Sequence, residues 1–261
     1  MTAEAAPDMT LPFIIGEAGS CHEEVLGRAI QLVNVAGRAG CQAVKFQFWS
    51  SPKRMRQRRK VTTSGAYDTG SIRKEWMPYL RQTAKNQNIL FGVSVFLPED
   101  VPTVSPQVDF LKVSSFEARD QALVDAVMAA RGDRPVFIST GLSEERPLIP
   151  LEAIRLHCVS AYPCPLAEAN LAAIEPHEGY SDHTRCVLTG GFAVSAGADY
   201  LEVHFRLTET STNCPDHVVS LTPEELRNYV TSARAAAVMR GTGEVEIQPS
   251  ERENLVHRVL G

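Results

Sequence analysis

The sequence predicts an α/β protein that folds as a single (β/α)8 barrel domain. Short apolar runs alternate with stretches of helical periodicity along nearly the whole chain, and eight strand-and-helix units fit the usual size of such a barrel. Polar side chains follow the carboxyl end of almost every run. A doubly wound open sheet is the alternative, but no glycine-rich dinucleotide turn follows the first strand.

Four apolar runs in the first half of the chain predict buried strands. Their ranges are 11–16, 43–47, 90–96 and 110–115. Helical spacing from Leu26 to a stop at Gly40 predicts the first helix, and further helical segments begin near Ile72 and Pro98. Residues 49–71 are polar and irregular, which predicts a long loop of the kind that often carries function.

The second half of the chain continues the same alternation. Strands are predicted at 135–140, at 155–160, into Tyr180 and at 200–205, and helices at 121–131 and 187–198. The connection 141–154 holds two prolines and leaves little room for a full helix.

The last predicted helix carries the clearest start signal in the chain. Thr222 can cap it, Pro223 suits its first turn, and Glu225 completes a capping box. Five residues at helical spacing form its apolar stripe. They are Leu226, Tyr229, Val230, Ala233 and Ala237.

Composition narrows the class of protein. The net charge of −5 gives no general attraction to nucleic acid. A basic run from Lys53 to Lys60 is the local exception. It is either a solvated loop or a segment that attracts an anionic substrate. No apolar run approaches the length of a membrane span. Six cysteines without a C-x-x-C pair indicate a reduced, cytoplasmic protein.

The first ten residues lack the apolar core of a signal peptide. They predict a flexible leader, residues 1–10, ahead of a barrel domain at residues 11–261.

Two histidines stand at matching places in a strand–helix–strand unit. The stretch Gly179 to Thr184 presents His183, and the stretch Tyr200 to Phe205 presents His204. Because the carboxyl ends of neighbouring parallel strands meet at one edge of a sheet, these two rings should lie side by side. Neutral imidazoles in that arrangement suit a divalent metal. The alternative is a pair of histidines that only share a core.

Other polar residues follow the predicted strands and should share that end of the barrel. They are Glu17, His22, Lys45, Gln47, Ser94, Lys112, Ser115, Glu117, Ser139, Thr140, Ser160, Tyr162, Ser181, Asp182, Glu202 and Asp216. Two lysines with hydroxyls between them suit a small phosphate or carboxylate, whereas any one lysine alone could form a buried ion pair. The carboxylates Glu17, Glu117 and Asp216 could position water or move protons.

Most of these residues fall within motifs that match one family along nearly the whole chain. The motifs are Ile15-Gly16-Glu17-Ala18-Gly19 with His22, Val44-Lys45-Phe46-Gln47, Leu111-Lys112-Val113-Ser114-Ser115, Ile138-Ser139-Thr140-Gly141, Leu156-His157-Cys158-Val159-Ser160-Ala161-Tyr162-Pro163, Gly179 to Thr184, Glu202 to Phe205, and Pro215-Asp216-His217 ahead of Ser220-Leu221. The chain resembles the sialic acid synthase family, which makes N-acetylneuraminate and related nonulosonates such as legionaminate and pseudaminate.

The resemblance implies a TIM barrel that condenses phosphoenolpyruvate with a sugar or other aldehyde acceptor, using Mn2+ or Mg2+. By position, His183 and His204 match the metal ligands. Substrate-binding candidates are Lys45, Ser94, Lys112, Ser115, Ser139, Ser160 and Ser181. Catalytic or acceptor-binding candidates are Glu17, Gln47, Glu117, Tyr162 and Asp216.

The implied reaction yields a 3-deoxy-2-keto acid and phosphate. A metal-polarised aldehyde is attacked by the enol carbon of phosphoenolpyruvate, water adds with a carboxylate to orient it, and phosphate leaves by carbon–oxygen cleavage. Glu17 or Glu117 is the candidate for that carboxylate.

Several positions depart from the family pattern. Cys21 and Ser160 stand where asparagine is usual, and Ser94-Val95-Phe96 replaces Thr-Pro-Phe. The sequence ends at Gly261, where the linker to the family's antifreeze-like domain would begin. We therefore expect a non-standard acceptor, with a homodimer or a separate lid protein as partner. A non-catalytic sugar- or partner-binding barrel and a keto-acid lyase are the competing functions.

Overall fold

Eight parallel strands close into a barrel in the order in which they follow along the chain. The computed structural model describes residues 11–62, 65–145 and 148–259, so the predicted leader, residues 1–10, lies outside the described residues. The strands are β1 (Phe13–Glu17), β2 (Ala43–Phe48), β3 (Leu90–Val95), β4 (Phe110–Val113), β5 (Val136–Ser139), β6 (Ile154–His157), β7 (Gly179–Asp182) and β8 (Tyr200–His204). The predicted (β/α)8 barrel is confirmed.

Helices surround this barrel on most sides. The α-helices are α1 (Leu26–Ala39), α2 (Pro52–Arg59), α3 (Ala66–Thr69), α4 (Met77–Asn86), α5 (Val101–Val104), α6 (Gln121–Ala130), α7 (Thr189–Ser195) and α8 (Pro223–Arg240). Short 3-10 helices lie at Lys74–Trp76, Pro98–Asp100, Ser105–Gln107, Leu166–Glu168, Leu171–Ala173, Pro215–Val218 and Pro249–His257. None of the helices described is both long and apolar enough to cross a membrane.

The ends of two helices follow directly from the sequence. Helix α1 ends at Gly40, whose φ of 92° is a left-handed conformation that costs glycine little. At the start of α8, the Thr222 side chain accepts a hydrogen bond from the Glu225 amide, and the Glu225 carboxylate accepts one from the Thr222 amide. The predicted capping box and buried stripe of this helix are confirmed.

The prediction of an irregular loop at 49–71 was wrong in part, because two helices occupy it. Ser51 caps α2, which is almost wholly polar and buries only Met55. A helix with no apolar stripe gives no periodic signal, so sequence pattern does not reveal it. The indole of Trp49 donates to the carbonyl of Tyr67 at 2.8 Å, which ties α3 to the strand end.

Between β5 and β6 the described residues contain no helix, as the prolines of that connection predict. On β6, which follows this connection, the Arg155 side chain pairs at 2.8 Å with that of Glu178, the residue before β7. The outer layer of the barrel is therefore incomplete on this side, over the part of the chain that the structure describes.

The barrel interior changes from apolar to polar along its axis. Ile15, Ala43, Phe110, Phe137 and Leu156 form a small apolar cluster inside the strands. Because side chains alternate in direction along a strand, the next inward side chain lies two residues further on. At that next level the sequence supplies mostly charged and hydroxyl groups. They are Glu17, Lys45, Ser94, Lys112, Ser139, Ser181 and Glu202.

Gly92 shows how tightly the apolar level is filled. It pairs with Phe110 of the neighbouring strand, and a Cβ at this position would lie 2.1 Å from the Phe110 ring. We predict that Gly92→Ala lowers the free energy of unfolding by about 2 kcal/mol or more, because the ring cannot move without disturbing the packed interior. Chemical denaturation followed by circular dichroism measures the change.

Gly27→Ala provides the matched control. Gly27 lies in α1, and no atom comes within 4 Å of a Cβ placed there. This variant should be as stable as the parent protein or slightly more so. Equal stability of the two variants would contradict the packing account.

Candidate active site

A cavity of about 300 Å3 opens at the carboxyl end of the barrel, directly above the polar level. It brings together most of the residues that the sequence singles out. Those that line it are Glu17, Lys45, Gln47, Ser94, Lys112, Ser115, Ser139, Tyr162, Ser181, His183, Glu202, His204 and Asp216. Strand register explains the convergence, since Glu17 is aligned with Lys45 on one side and with His204 on the other.

Four buried charges form the floor of this cavity. Lys45 Nζ lies 2.5 Å from Glu17 Oε2 and 3.6 Å from Glu202 Oε1, and Lys112 Nζ lies 3.2 Å from Glu202 Oε2. All four side chains are at most 5% exposed. The lysines thus form buried ion pairs and also line the cavity. A structural ion pair and a binding site for an anion, the two interpretations of these lysines, are therefore compatible.

Hydroxyl groups complete the lysine environments. Lys45 Nζ donates to Ser94 Oγ at 2.8 Å, and Lys112 Nζ donates to Ser139 Oγ at the same distance. Each ammonium group has three donors, which can be shared between a hydroxyl, a carboxylate and a ligand. The lysines are therefore held in place without their hydrogen-bonding capacity being exhausted.

The two carboxylates of the floor differ in acidity. Burial alone raises the pKa of Glu202, but Lys112 and Lys45 outweigh it and hold that pKa at about 2. The pKa of Glu17 is raised, because burial together with the neighbouring charge of Glu202 outweighs Lys45. Glu202 is thus a permanent counter-charge, whereas Glu17 is the better candidate for exchanging a proton.

The two histidines face each other across the cavity wall, with ring centroids 5.5 Å apart. His183 Nδ1 donates to the carbonyl of Val159 at 2.7 Å, because a carbonyl oxygen can only accept. This bond leaves the lone pair on Nε2. Burial, with His204 nearby, lowers the pKa of His183 to about 3, so the ring is neutral at pH 7.

The histidine pair fits a divalent metal ion. His204 Nδ1 is buried, and the described residues offer it no hydrogen-bond partner. His183 is thus a neutral imidazole with a fixed orientation, and His204 beside it has a ring nitrogen without a hydrogen-bond partner. Two such rings side by side suit a divalent metal. No cluster of three or more His, Cys, Asp or Glu side chains suited to a metal occurs in the described part of the chain. His183 and His204 are therefore the two candidate ligands that the described residues provide for a metal ion.

Asp216 reaches the cavity from the loop after β8. Its Oδ2 accepts hydrogen bonds from the amide and the hydroxyl of Ser20, both at 2.7 Å. Gly19 makes this approach possible, since a Cβ there would lie 2.4 Å from the same oxygen and its φ is +49°. Gln47 lies beside this carboxylate at the cavity wall.

Two of the residues predicted to be catalytic or to bind substrate do not line the cavity. Glu117 lies behind Arg59, whose Nη2 is 2.6 Å from Glu117 Oε1, and it also accepts a hydrogen bond from Ser114. Ser160 shares a 2.6 Å hydrogen bond with Ser115 and lies behind it. Both positions support cavity residues, and the catalytic and binding roles given to them stay predictions.

The outer part of the cavity is lined by residues that the sequence did not single out, apart from Arg59, which lies in the basic run considered for anion binding. They are Trp49, Arg59, Tyr67, Phe96 and Phe116. Trp49, Phe96 and Phe116 each stand just after a strand, so their positions were a usable signal. Arg59 and Tyr67 come from helices that the sequence pattern does not reveal.

Comparison with known proteins identifies relatives of the chain. A model of the NeuB family matches residues 32–245. The pseudaminic acid synthase of Campylobacter jejuni is 28% identical over 275 residues, covering 94% of this chain and 79% of that protein. The N,N'-diacetyllegionaminic acid synthase of Legionella pneumophila is also 28% identical, covering 92% of this chain and 76% of that protein.

A solved structure extends the comparison to the fold. The N-acetylneuraminic acid synthetase of Leptospira borgpetersenii, in complex with citrate, is 27% identical with a TM-score of 0.82. The match covers 96% of this chain and 92% of that structure. The chain belongs to the NeuB family, whose named relatives here are synthases of sialic acid and related acids.

His22 belongs to the packing beneath the site rather than to the cavity. Its Nδ1 accepts from the Glu24 amide at 3.0 Å, so its proton lies on Nε2, which faces the Gly70 carbonyl at 3.4 Å. The ring also packs edge-on against Trp76. Burial lowers the pKa of His22 to about 4.

We predict that His22 makes the protein less stable in acid. Its pKa is lower in the folded than in the unfolded protein, so its contribution is complete above pH ~6.5 and is lost as pH falls towards 4, by up to ~3 kcal/mol. Denaturation curves measured between pH 7 and 4 should show that the free energy of unfolding depends less steeply on pH in His22→Gln than in the parent protein. The exposed His257 provides the control, since His257→Gln should keep the parental slope. Parallel slopes for all three proteins would contradict this role.

Proposed function

We propose that this NeuB-family chain condenses phosphoenolpyruvate with an aldehyde acceptor to give a 3-deoxy-2-keto acid and phosphate. The observation that carries the proposal is the floor of the cavity, where two lysines and two carboxylates lie beside two histidines at the carboxyl ends of the strands. The names of the relatives support it, because pseudaminic, legionaminic and N-acetylneuraminic acids are products of this kind. The unpaired cysteines suit a cytoplasmic setting.

Phosphoenolpyruvate suits the inner half of the cavity. Lys45 and Lys112 supply two positive charges for its phosphate and carboxylate, and nearby hydroxyls supply directed hydrogen bonds. Ser115 and Ser181 both line the cavity, and Ser181 donates a hydrogen bond to Glu202 at 3.3 Å. Glu202 is ionised and paired with both lysines, so it favours their charged forms before the substrate arrives. Burial still outweighs it at Lys112, whose pKa lies below its usual value.

A divalent ion held by His183 and His204 would polarise the acceptor carbonyl when bound. The protein side chains account for the rest of the geometry. Tyr162 packs against His183 with ring centroids 4.2 Å apart and the ring planes tilted by 37°, which limits the movement of the histidine ring. Asp216, fixed by Ser20, faces the cavity where acceptor hydroxyls would lie.

The reaction balances with one water molecule. The methylene carbon of phosphoenolpyruvate forms a bond to the aldehyde carbon, and cationic character develops at the carbon that carries phosphate. Water adds at that carbon and gives a proton to Glu17, from which it reaches the new alkoxide. The carbon–oxygen bond to phosphate then breaks, the electron pair leaves with phosphate, and the new hydroxyl gives its proton to the departing phosphate as the ketone forms. Lys45 and Lys112 stabilise the departing charge.

We expect phosphate release that depends on phosphoenolpyruvate, a divalent ion and an aldehyde together. A panel of aldoses and N-acetylhexosamines, assayed for phosphate and for keto acid, measures it. His204→Ala should lose at least ~100-fold in kcat/KM with the fold intact, whereas the exposed His257→Ala should be unaffected. Binding of phosphoenolpyruvate without turnover of any aldehyde would favour a non-catalytic barrel, and keto-acid cleavage alone would favour a lyase.

We also expect the histidine pair to bind Mn2+ in the absence of substrates. Electron paramagnetic resonance of free Mn2+ should show one bound ion per chain, and His183→Ala or His204→Ala should weaken binding by at least ~10-fold. Undiminished binding in both variants would place the ion elsewhere and remove the role assigned to the pair.

A further inference from the structure

We propose that Arg59 recognises an anionic group, a carboxylate or a phosphate, on the acceptor aldehyde. This inference rests on the proposed function, because it assigns the outer half of the same cavity to the acceptor. It concerns a residue from the basic run of the sequence, for which a solvated loop and an anion-binding site were the two alternatives.

Arg59 is the arginine of α2 that lines the cavity. The other arginines of the helix pair with acidic residues, Arg54 with Glu99, Arg56 with Asp68 and Arg58 with Asp120. The Arg59 side chain is 14% exposed, compared with 57% for Arg54. The helix therefore directs one of its cations into the site and uses the rest at its surface.

The guanidinium group of Arg59 is held rigidly. Its central carbon lies 4.3 Å from the centroid of the Phe116 ring, a cation–π contact. Its Nη2 lies 2.6 Å from Glu117 Oε1, and the Glu117 side chain is only 1% exposed. A buried ion pair and an aromatic ring thus fix the position of the group before any ligand binds.

Most of the donors of Arg59 have no partner among the described residues, and the buried Nε is one of them. A guanidinium group has five N–H donors, and the contact with Glu117 is the only ion pair or hydrogen bond that the described residues give it. The Glu117 contact orients the group more than it saturates it. A ligand oxygen at the cavity side would find N–H donors and a positive charge together.

The surroundings favour a charged oxygen over a neutral one. Trp49, Tyr67, Phe96 and Phe116 line the same part of the cavity and keep it apolar. In such an environment a contact between guanidinium and an anion is stronger than in water, and planar carboxylate and phosphate groups can accept two parallel hydrogen bonds. The inner lysines are distinct from Arg59, being paired with Glu17 and Glu202 on the floor.

Arg58 provides a matched control on the same helix. It lies 3.7 Å from Glu117 and pairs with Asp120, so it carries the same charge at nearly the same place. It does not line the cavity. A general effect of positive charge on anions should respond equally to both arginines, whereas direct recognition should respond to Arg59 alone.

The test compares neutral and anionic aldoses of matched skeleton without phosphoenolpyruvate, so that no condensation occurs. The probes are D-mannose, D-mannuronate and D-mannose 6-phosphate, with D-erythrose and D-erythrose 4-phosphate for a shorter reach. Isothermal titration should show at least one anionic probe binding ~10-fold or more tighter than its neutral partner to the unmodified protein. Arg59→Gln should abolish most of that preference and Arg58→Gln should retain it. The preferred probe identifies carboxylate or phosphate.

Several results would overturn the inference. One is that the unmodified protein binds no anionic aldose more tightly than its neutral partner. Another is that Arg59→Gln keeps the full preference for the anionic aldose, which would place the anion at the lysines. A third is that Arg58→Gln loses as much of this preference as Arg59→Gln does. Titration with phosphoenolpyruvate on the same proteins separates this inference from the proposed function. Arg59→Gln should bind phosphoenolpyruvate as the unmodified protein does, and failure of the unmodified protein to bind it would refute the condensation while the comparison of aldoses still stands.

Discussion

The buried charge cluster formed by Glu17, Lys45, Lys112 and Glu202 is the interaction on which the site depends. Burying four charges costs free energy that only close pairing and hydrogen bonding can offset. The barrel provides both, since strand register aligns Glu17 with Lys45 and places serine hydroxyls against both lysines. The four charges of the floor sum to zero, and an anionic ligand can replace a carboxylate as the partner of a lysine.

The cavity above this floor has an inner and an outer part, which are built from different structural elements. The inner part is built from strand residues, whose positions are fixed by the closed barrel. The outer part is built from α2, α3 and the residues just after the strands, including Arg59 and Phe116. Loops and short helices vary more freely than barrel strands, so the outer part is where specificity for the acceptor can change without disturbing the chemistry beneath.

Much of this arrangement could be predicted from the sequence. Apolar runs of strand length predicted the barrel, and the position of Lys45, Lys112 and His204 towards the carboxyl ends of the predicted strands placed them at one end of it. Helix α2 could not be predicted, because a polar helix that buries only Met55 lacks an apolar stripe. For the same reason the sequence did not reveal that Arg59 covers Glu117, which takes that carboxylate away from the cavity lining.

The central claim is that the cluster is a site for phosphoenolpyruvate, and isothermal titration of that ligand tests it most directly. The protein with Mn2+ should bind phosphoenolpyruvate with a measurable Kd. Lys112→Gln, shown to be folded by circular dichroism, should weaken binding by at least ~10-fold, and the exposed Lys85→Gln should not. No binding by the unmodified protein, or equal binding by Lys112→Gln, would contradict the account.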